Sequence, residues 1–224
     1  MIRTSVAALI LVLAASPVLA RHDDDGDGDY EKVMGTVHVG TGQHVNKASS
    51  VNGSVDIGSN AVVKRAETVN GSVTVHDHAT LDSVETVNGS ITLEEGVHIS
   101  GKVTLVNGKI TVGSGGEIGG KLSNVNGSIQ LTATHVGGGI ESTNSNLTVG
   151  ANSRIEGGIF YQATNDGWFS FFGKPNVPKV IIEPGAVVKG TLDFRREVEL
   201  YVSDRATIDT VKGATVHKFS GASP

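Results

Sequence analysis

The sequence predicts an all-β fold, a single-stranded parallel β-helix with three sides and about 18 residues per coil. Three observations point there. A Val-Asn-Gly-Ser-Val/Ile unit returns every 18 or 19 residues, and aliphatic and polar residues alternate after each copy. The composition holds 30 glycines but only 4% aromatic residues. Small β-branched side chains suit a narrow interior, whereas a thick globular core draws on more Phe, Trp and Leu.

In chain order, residues 1–20 read as a secretory signal peptide. Arg3 is the basic residue, Val6 to Ala15 form an apolar run, and Val18-Leu19-Ala20 places small residues at a cleavage site. The run is too short to span a membrane, so the mature chain is expected to have no transmembrane segment. The expected location is the periplasm or the cell surface. Residues 21–32 form an acidic leader, expected to be disordered. Asp23, Asp25, Asp27 and Gly28 match the first half of a calcium-binding EF-hand loop, but its twelfth position is Met34, which has no carboxylate.

The solenoid is expected over residues 33–217. Its unit appears as Val51-Asn52-Gly53-Ser54-Val55, Val69-Asn70-Gly71-Ser72-Val73, Val87-Asn88-Gly89-Ser90-Ile91, Val106-Asn107-Gly108-Lys109-Ile110 and Val125-Asn126-Gly127-Ser128-Ile129. Degenerate copies stand at Val33-Met34-Gly35-Thr36-Val37 and Thr143-Asn144-Ser145-Asn146-Leu147. With the leading Val as position one, aliphatics fall at positions one, five, seven and thirteen, and near sixteen. Alternation from five to seven marks a strand with one buried face. Asn-Gly before it marks a corner, because both residues tolerate positive φ. Stacked coils would align Asn52, Asn70, Asn88, Asn107, Asn126 and Asn144 as an amide ladder. The same regularity explains the Asn-Gly-Ser triplets without invoking glycosylation, and it argues against a hairpin-built sandwich, whose turns recur every 8–12 residues. About nine coils are expected.

Residues 160–179 break the period as an aromatic-rich loop insertion. Tyr161, Trp168, Phe169, Phe171 and Phe172 in it are the candidate interaction residues, directed at the solenoid wall or at an envelope partner. The period resumes with Val180, Ile182, Ala186 and Val188 and ends before a tail at 218–224. No amphipathic helix covers either end, so the C-terminal strand edge is expected to favour end-to-end self-association that grows as salt screens the acidic leader.

The run Ile182-Glu183-Pro184-Gly185-Ala186-Val187-Val188-Lys189-Gly190-Thr191-Leu192 resembles the repeat of bactofilins, polymer-forming bacterial β-helix proteins. The Val-Asn-Gly-Ser-Val coils are similar to exported bacterial β-repeat proteins of the adhesin type. Together these resemblances imply a right-handed helix with a structural or surface role. An apolar export segment is not a feature of cytoplasmic bactofilins.

The side chains offer little chemistry. A net charge of −5 argues against nucleic acid and anionic lipid as partners. The absence of cysteine excludes disulfides, thiol catalysis and thiolate metal sites. No cofactor motif is present. The apolar positions one, seven and thirteen also fit the six-residue period of hexapeptide acyltransferases, yet the one inserted loop carries no histidine. Glu67 and Glu85 share a position in adjacent coils, as a glycosidase pair would, but Lys64, Arg65 and Asp82 beside them indicate a solvated charged face. His76 and His78, with His98 one coil on, lack a third ligand at a matching position, and His44 is too distant. The outward residues Ser72, Thr74, Ser90 and Thr92 suggest the flat Thr array of ice-binding solenoids, which Asp56, Lys109 and Gln130 interrupt. The sequence therefore favours an exported structural or adhesive β-helix with no catalytic, cofactor or metal residues. A carbohydrate-active or carbohydrate-binding β-helix is the alternative.

Overall fold

A computed structural model describes residues 28–163 and 177–224, leaving the signal-like segment and most of the aromatic insertion outside the described residues. Every regular element among these residues is a β-strand, and all belong to one parallel 22-stranded sheet wound through about 10 turns. One column of strands contains Val37–Val39, Val55–Ile57 and Val73–Val75 at positions five to seven. A second contains His98–Ile99, Glu117–Ile118 and His135–Val136. The third lies over positions fifteen to eighteen. Some strands turn corners without a break: Thr80–Leu93 contributes to all three columns in 14 residues.

The first coil begins inside the expected leader. Asp29–Met34 is a strand, paired from Asp29↔Lys47 to Met34↔Asn52. Parallel pairing is made by the backbone and tolerates polar side chains, so the charged composition of 29–32 concealed it. The far end also reaches further, with Val216–Phe219 paired on Glu199–Ser203.

The core is a thin column. Val55, Ile57, Ala61, Val63 and Ala66 are all buried, as are Val73, Val75, Ala79, Leu81 and Val84 in the next coil. The aliphatics at position one behave differently. Val51, Val69, Val87, Val106 and Val125 are only half-buried and lie on the outer surface, because strand alternation turns position one outward when sixteen and eighteen point in. The inward set is therefore not the six-residue series of one, seven and thirteen. In the first coils the inward position eighteen carries Ser50, Thr68 and Thr86, whose hydroxyls are satisfied. Ser50 Oγ donates to the Gly35 carbonyl at 3.0 Å, Thr68 Oγ1 to that of Gly53 at 2.7 Å and Thr86 Oγ1 to that of Gly71 at 3.1 Å.

At the Asn-Gly corner the asparagines are not left-handed; Gly89, Gly108 and Gly127 do have positive φ, from 124° to 153°, and crowding adds a second reason for glycine. Left-handed non-glycine residues occur instead in the turn after position seven, at Asn60, His78, Ala133 and Asn152, with φ between 44° and 60°. At the corner, the glycines stack directly on one another. A Cβ on Gly71 would lie 2.1 Å from the Gly53 carbonyl oxygen, and one on Gly89 would lie 2.0 Å from that of Gly71. From Gly53 to Gly127 only a residue without a side chain fits against the coil before it.

Beside the glycines runs the amide ladder. Asn70 Nδ2 donates to Asn52 Oδ1 at 3.0 Å, Asn88 to Asn70 at 3.0 Å, Asn107 to Asn88 at 2.9 Å, Asn126 to Asn107 at 2.9 Å and Asn144 to Asn126 at 3.4 Å. Arg196 closes the far end, its Nη1 donating to Asn144 Oδ1 at 3.0 Å and to the Thr143 carbonyl at 2.9 Å.

These contacts set an order of sensitivity. Gly71→Ala drives a methyl group into backbone that cannot retreat and should cost about 3 kcal/mol. Asn88→Val removes two ladder bonds and should cost about 1–2 kcal/mol. A Cβ on Gly28 meets nothing within 4 Å, so Gly28→Ala should leave the melting temperature unchanged. Thermal denaturation of the three variants, followed by circular dichroism, measures this order.

Candidate functional site

The outer face of the third column is recessed. Its position-seventeen side chains, Glu31, Ser49, Glu67, Glu85, Thr104, Ser123 and Glu141, are aligned by successive pairing. They point outward, yet Ser49, Glu67 and Glu85 are only 1%, 8% and 7% exposed. Flanking rows shield them: Lys47, Arg65, Lys102 and Lys121 on one side and the half-buried valines of position one on the other. The result is a trough along the solenoid axis. Towards the insertion it deepens into a cavity of about 40 Å³ lined by Thr104, Val106, Ser123, Val125, Glu141 and Gln162.

The carboxylates in the trough are paired. Arg65 Nε lies 3.3 Å from Glu67 Oε1, Lys102 Nζ 2.8 Å from Glu85 Oε1 and Lys121 Nζ 3.0 Å from Glu141 Oε2. Gln162 Nε2 donates to Glu141 Oε1 at 2.6 Å and closes one end. Burial pushes the Glu67 carboxyl above its ordinary range. Lys47 and Arg65 pull it back, and the neighbouring Glu85 charge raises it again. Glu67 and Glu85 are thus shielded carboxylates rather than members of a solvated face. Register alone places them in one column; shielding depends on the rows to either side.

The histidines are held in a different way. His76 sits between two carboxylates, with Nδ1 2.8 Å from Glu94 Oε2 and Nε2 2.9 Å from Asp56 Oδ1. The other oxygen of Asp56 lies 2.8 Å from His38 Nδ1, so the chain of contacts spans the first four coils. A neutral imidazole donates from one nitrogen only, and this arrangement satisfies both when the ring is protonated. The hydrogen bond to Glu94 and the charges of Glu94 and Asp56 raise the His76 pKa, with burial opposing. Elsewhere His98 Nδ1 lies 3.1 Å from Glu117 Oε2, and Glu117 Oε1 lies 3.7 Å from His135 Nδ1. His78 occupies a left-handed turn. The structure therefore gives His76 and His98 to separate carboxylate partners instead of bringing them together.

Of the candidate interaction residues, Trp168, Phe169, Phe171 and Phe172 lie outside the described residues. Tyr161 is a core residue and is not available to a partner: it is fully buried, its hydroxyl donates to the Ser145 carbonyl at 2.7 Å, and its ring lies 5.5 Å from that of Phe194. Burial also pushes its phenol well above the ordinary tyrosine range. The signal was in the register, since Ile159 occupies inward position sixteen and Tyr161 therefore occupies inward position eighteen. The small Ser142 and Ser145 leave room for the ring.

Comparison of the chain with protein-family models, with curated proteins and with solved structures returned no match.

A pH dependence follows from the imidazole contacts. The His76 pKa is raised above its ordinary value of 6.5, so its contribution to stability is complete below that value. It is lost as pH rises through the higher pKa of the folded state. Urea denaturation between about pH 5.5 and 8.5 should show stability falling with pH in this window. His76→Gln should flatten the slope.

Proposed function

We propose that this chain is an exported structural or adhesive β-helix protein of the bacterial envelope, without catalytic activity. The observation that carries the reading is the unbroken, in-register stacking of about 10 turns. Such a stack makes a stiff elongated body whose outer columns repeat the same few side chains, a form suited to spacing or surface contact. The basic, apolar and small-residue order of residues 1–20 supports export. The resemblance of the coils to adhesin-type repeats, and of 182–192 to polymer-forming bactofilin repeats, supports a non-catalytic role. The expected location is the periplasm or the cell surface. Cell fractionation followed by N-terminal sequencing tests export: the chain should leave the cytoplasm and begin at Arg21. A cytoplasmic chain that retains Met1 would refute it.

The recessed outer face favours one second reading, binding of a carbohydrate chain along the trough. The position-one valines offer an apolar edge to sugar C–H faces. The half-buried Glu141, with the hydroxyls of Thr104 and Ser123, offers acceptors and donors to sugar hydroxyls. A glycan panel separates the readings. Retention without product would support a carbohydrate-binding role, product release would make the chain an enzyme, and no retention would leave the structural role alone.

A further inference from the structure

The ends of the solenoid carry a feature that the repeat pattern conceals. Position seven is inward and apolar in every coil from Val39 through Ile57, Val75, Leu93, Val112, Leu131, Val149 and Ile182 to Val202, all at most 1% exposed. In the last coil the register Val202↔Lys218 puts a lysine at that position. The neighbouring residue confirms the alternation, since His217 faces outward and lies 5.5 Å from the Tyr201 ring. The first coil repeats the arrangement. The register Lys32↔Ser50 puts Lys32 at inward position eighteen, which Ser50, Thr68 and Thr86 occupy in the next three coils. Lys32 Nζ donates to the Thr36 carbonyl at 2.5 Å. Both lysines are exposed, lying over the two outermost coils of the described solenoid.

We propose that Lys32 and Lys218 bar the end faces of this solenoid to a second copy of the chain. The end face of a parallel stack is a ready template wherever its outermost strand presents unpaired backbone groups around an apolar column. A second copy stacked there would enclose each ammonium between coils, away from water. Burial of a charge is strongly unfavourable unless it is paired, while in the single rod both lysines are exposed and keep their charge in water. This inference rests on the structural reading above, and it replaces the expectation of an open C-terminal edge. Salt does not relieve the barrier, because screening acts on separated charges in solvent and not on the loss of hydration.

The test restores to each position the kind of residue its column carries. The chain, purified from the compartment in which it resides, is compared with the double variant Lys32→Thr/Lys218→Val by analytical ultracentrifugation at several protein and salt concentrations. Lys212→Val serves as a control, because Lys212 is exposed on the same last coil at outward position seventeen. Circular dichroism melting verifies that all three are folded. The wild type and Lys212→Val should keep one mass throughout. The double variant should associate with a midpoint concentration at least about ten-fold lower than any wild-type association. A folded double variant that stays at the wild-type mass would overturn the proposal, as would a wild type that grows with salt as readily as the variant. Export or its failure does not enter this measurement, so the envelope reading can fail while the lysine barrier stands.

Discussion

The structure depends on the direct superposition of one coil upon the next at the spacing of paired strands, roughly 4.8 Å. At the Asn-Gly corner the chain turns so tightly that each glycine lies under the carbonyl of the one before it. The distance from a built Cβ to that oxygen is 1.6 to 2.1 Å from Gly53 through Gly127. Once the glycines stack, the asparagines before them have only one place to go, and their amides connect from coil to coil. Where the pattern ends at Ser145, the ladder ends one step later on the Arg196 guanidinium, which donates to Asn144 Oδ1 and replaces the missing amide.

Superposition also brings equal positions of successive coils together, and that raises an electrostatic problem. A strictly repeated charge would repel itself along the whole rod. The chain alternates imidazoles with carboxylates instead. His38, Asp56, His76 and Glu94 follow one another through the first four coils, and His98, Glu117 and His135 through the fourth to the sixth. Glu67 and Glu85 break the rule, being like charges in adjacent coils, and each is matched sideways by a cation, Arg65 or Lys102. Most of these pairs are partly exposed and each adds little alone. Their joint effect is to make register, once established, electrostatically consistent.

The same geometry explains why the third outer face is recessed. Side chains of position seventeen stand between two rows, mostly long cations on one side and valines on the other, so that among the described residues the shielding comes from neighbouring rows of the stack. The trough is a property of the stack, absent from any single coil.

The fold was legible in the sequence because a solenoid writes its geometry as a period: an 18-residue recurrence with alternation inside it determines coil length, strand direction and the inward set at positions five, seven and thirteen. The amide column and the inward place of Tyr161 follow from the same count. Four things required the tertiary structure. Residues 29–32 join the first coil through backbone pairing, which leaves no apolar signature. Position one faces outward because continuous strands round the corner preserve alternation there. Glu67 and Glu85 are shielded by rows from other coils, and His76 meets Glu94 at its own position in the next coil but Asp56 two positions away in the coil before, a contact that depends on how side chains lean between coils. Period and alternation are local to the chain, so the sequence by itself determined the coil. Shielding, ion pairing and the lysines over the two ends arise between coils, so only the assembled stack decided them.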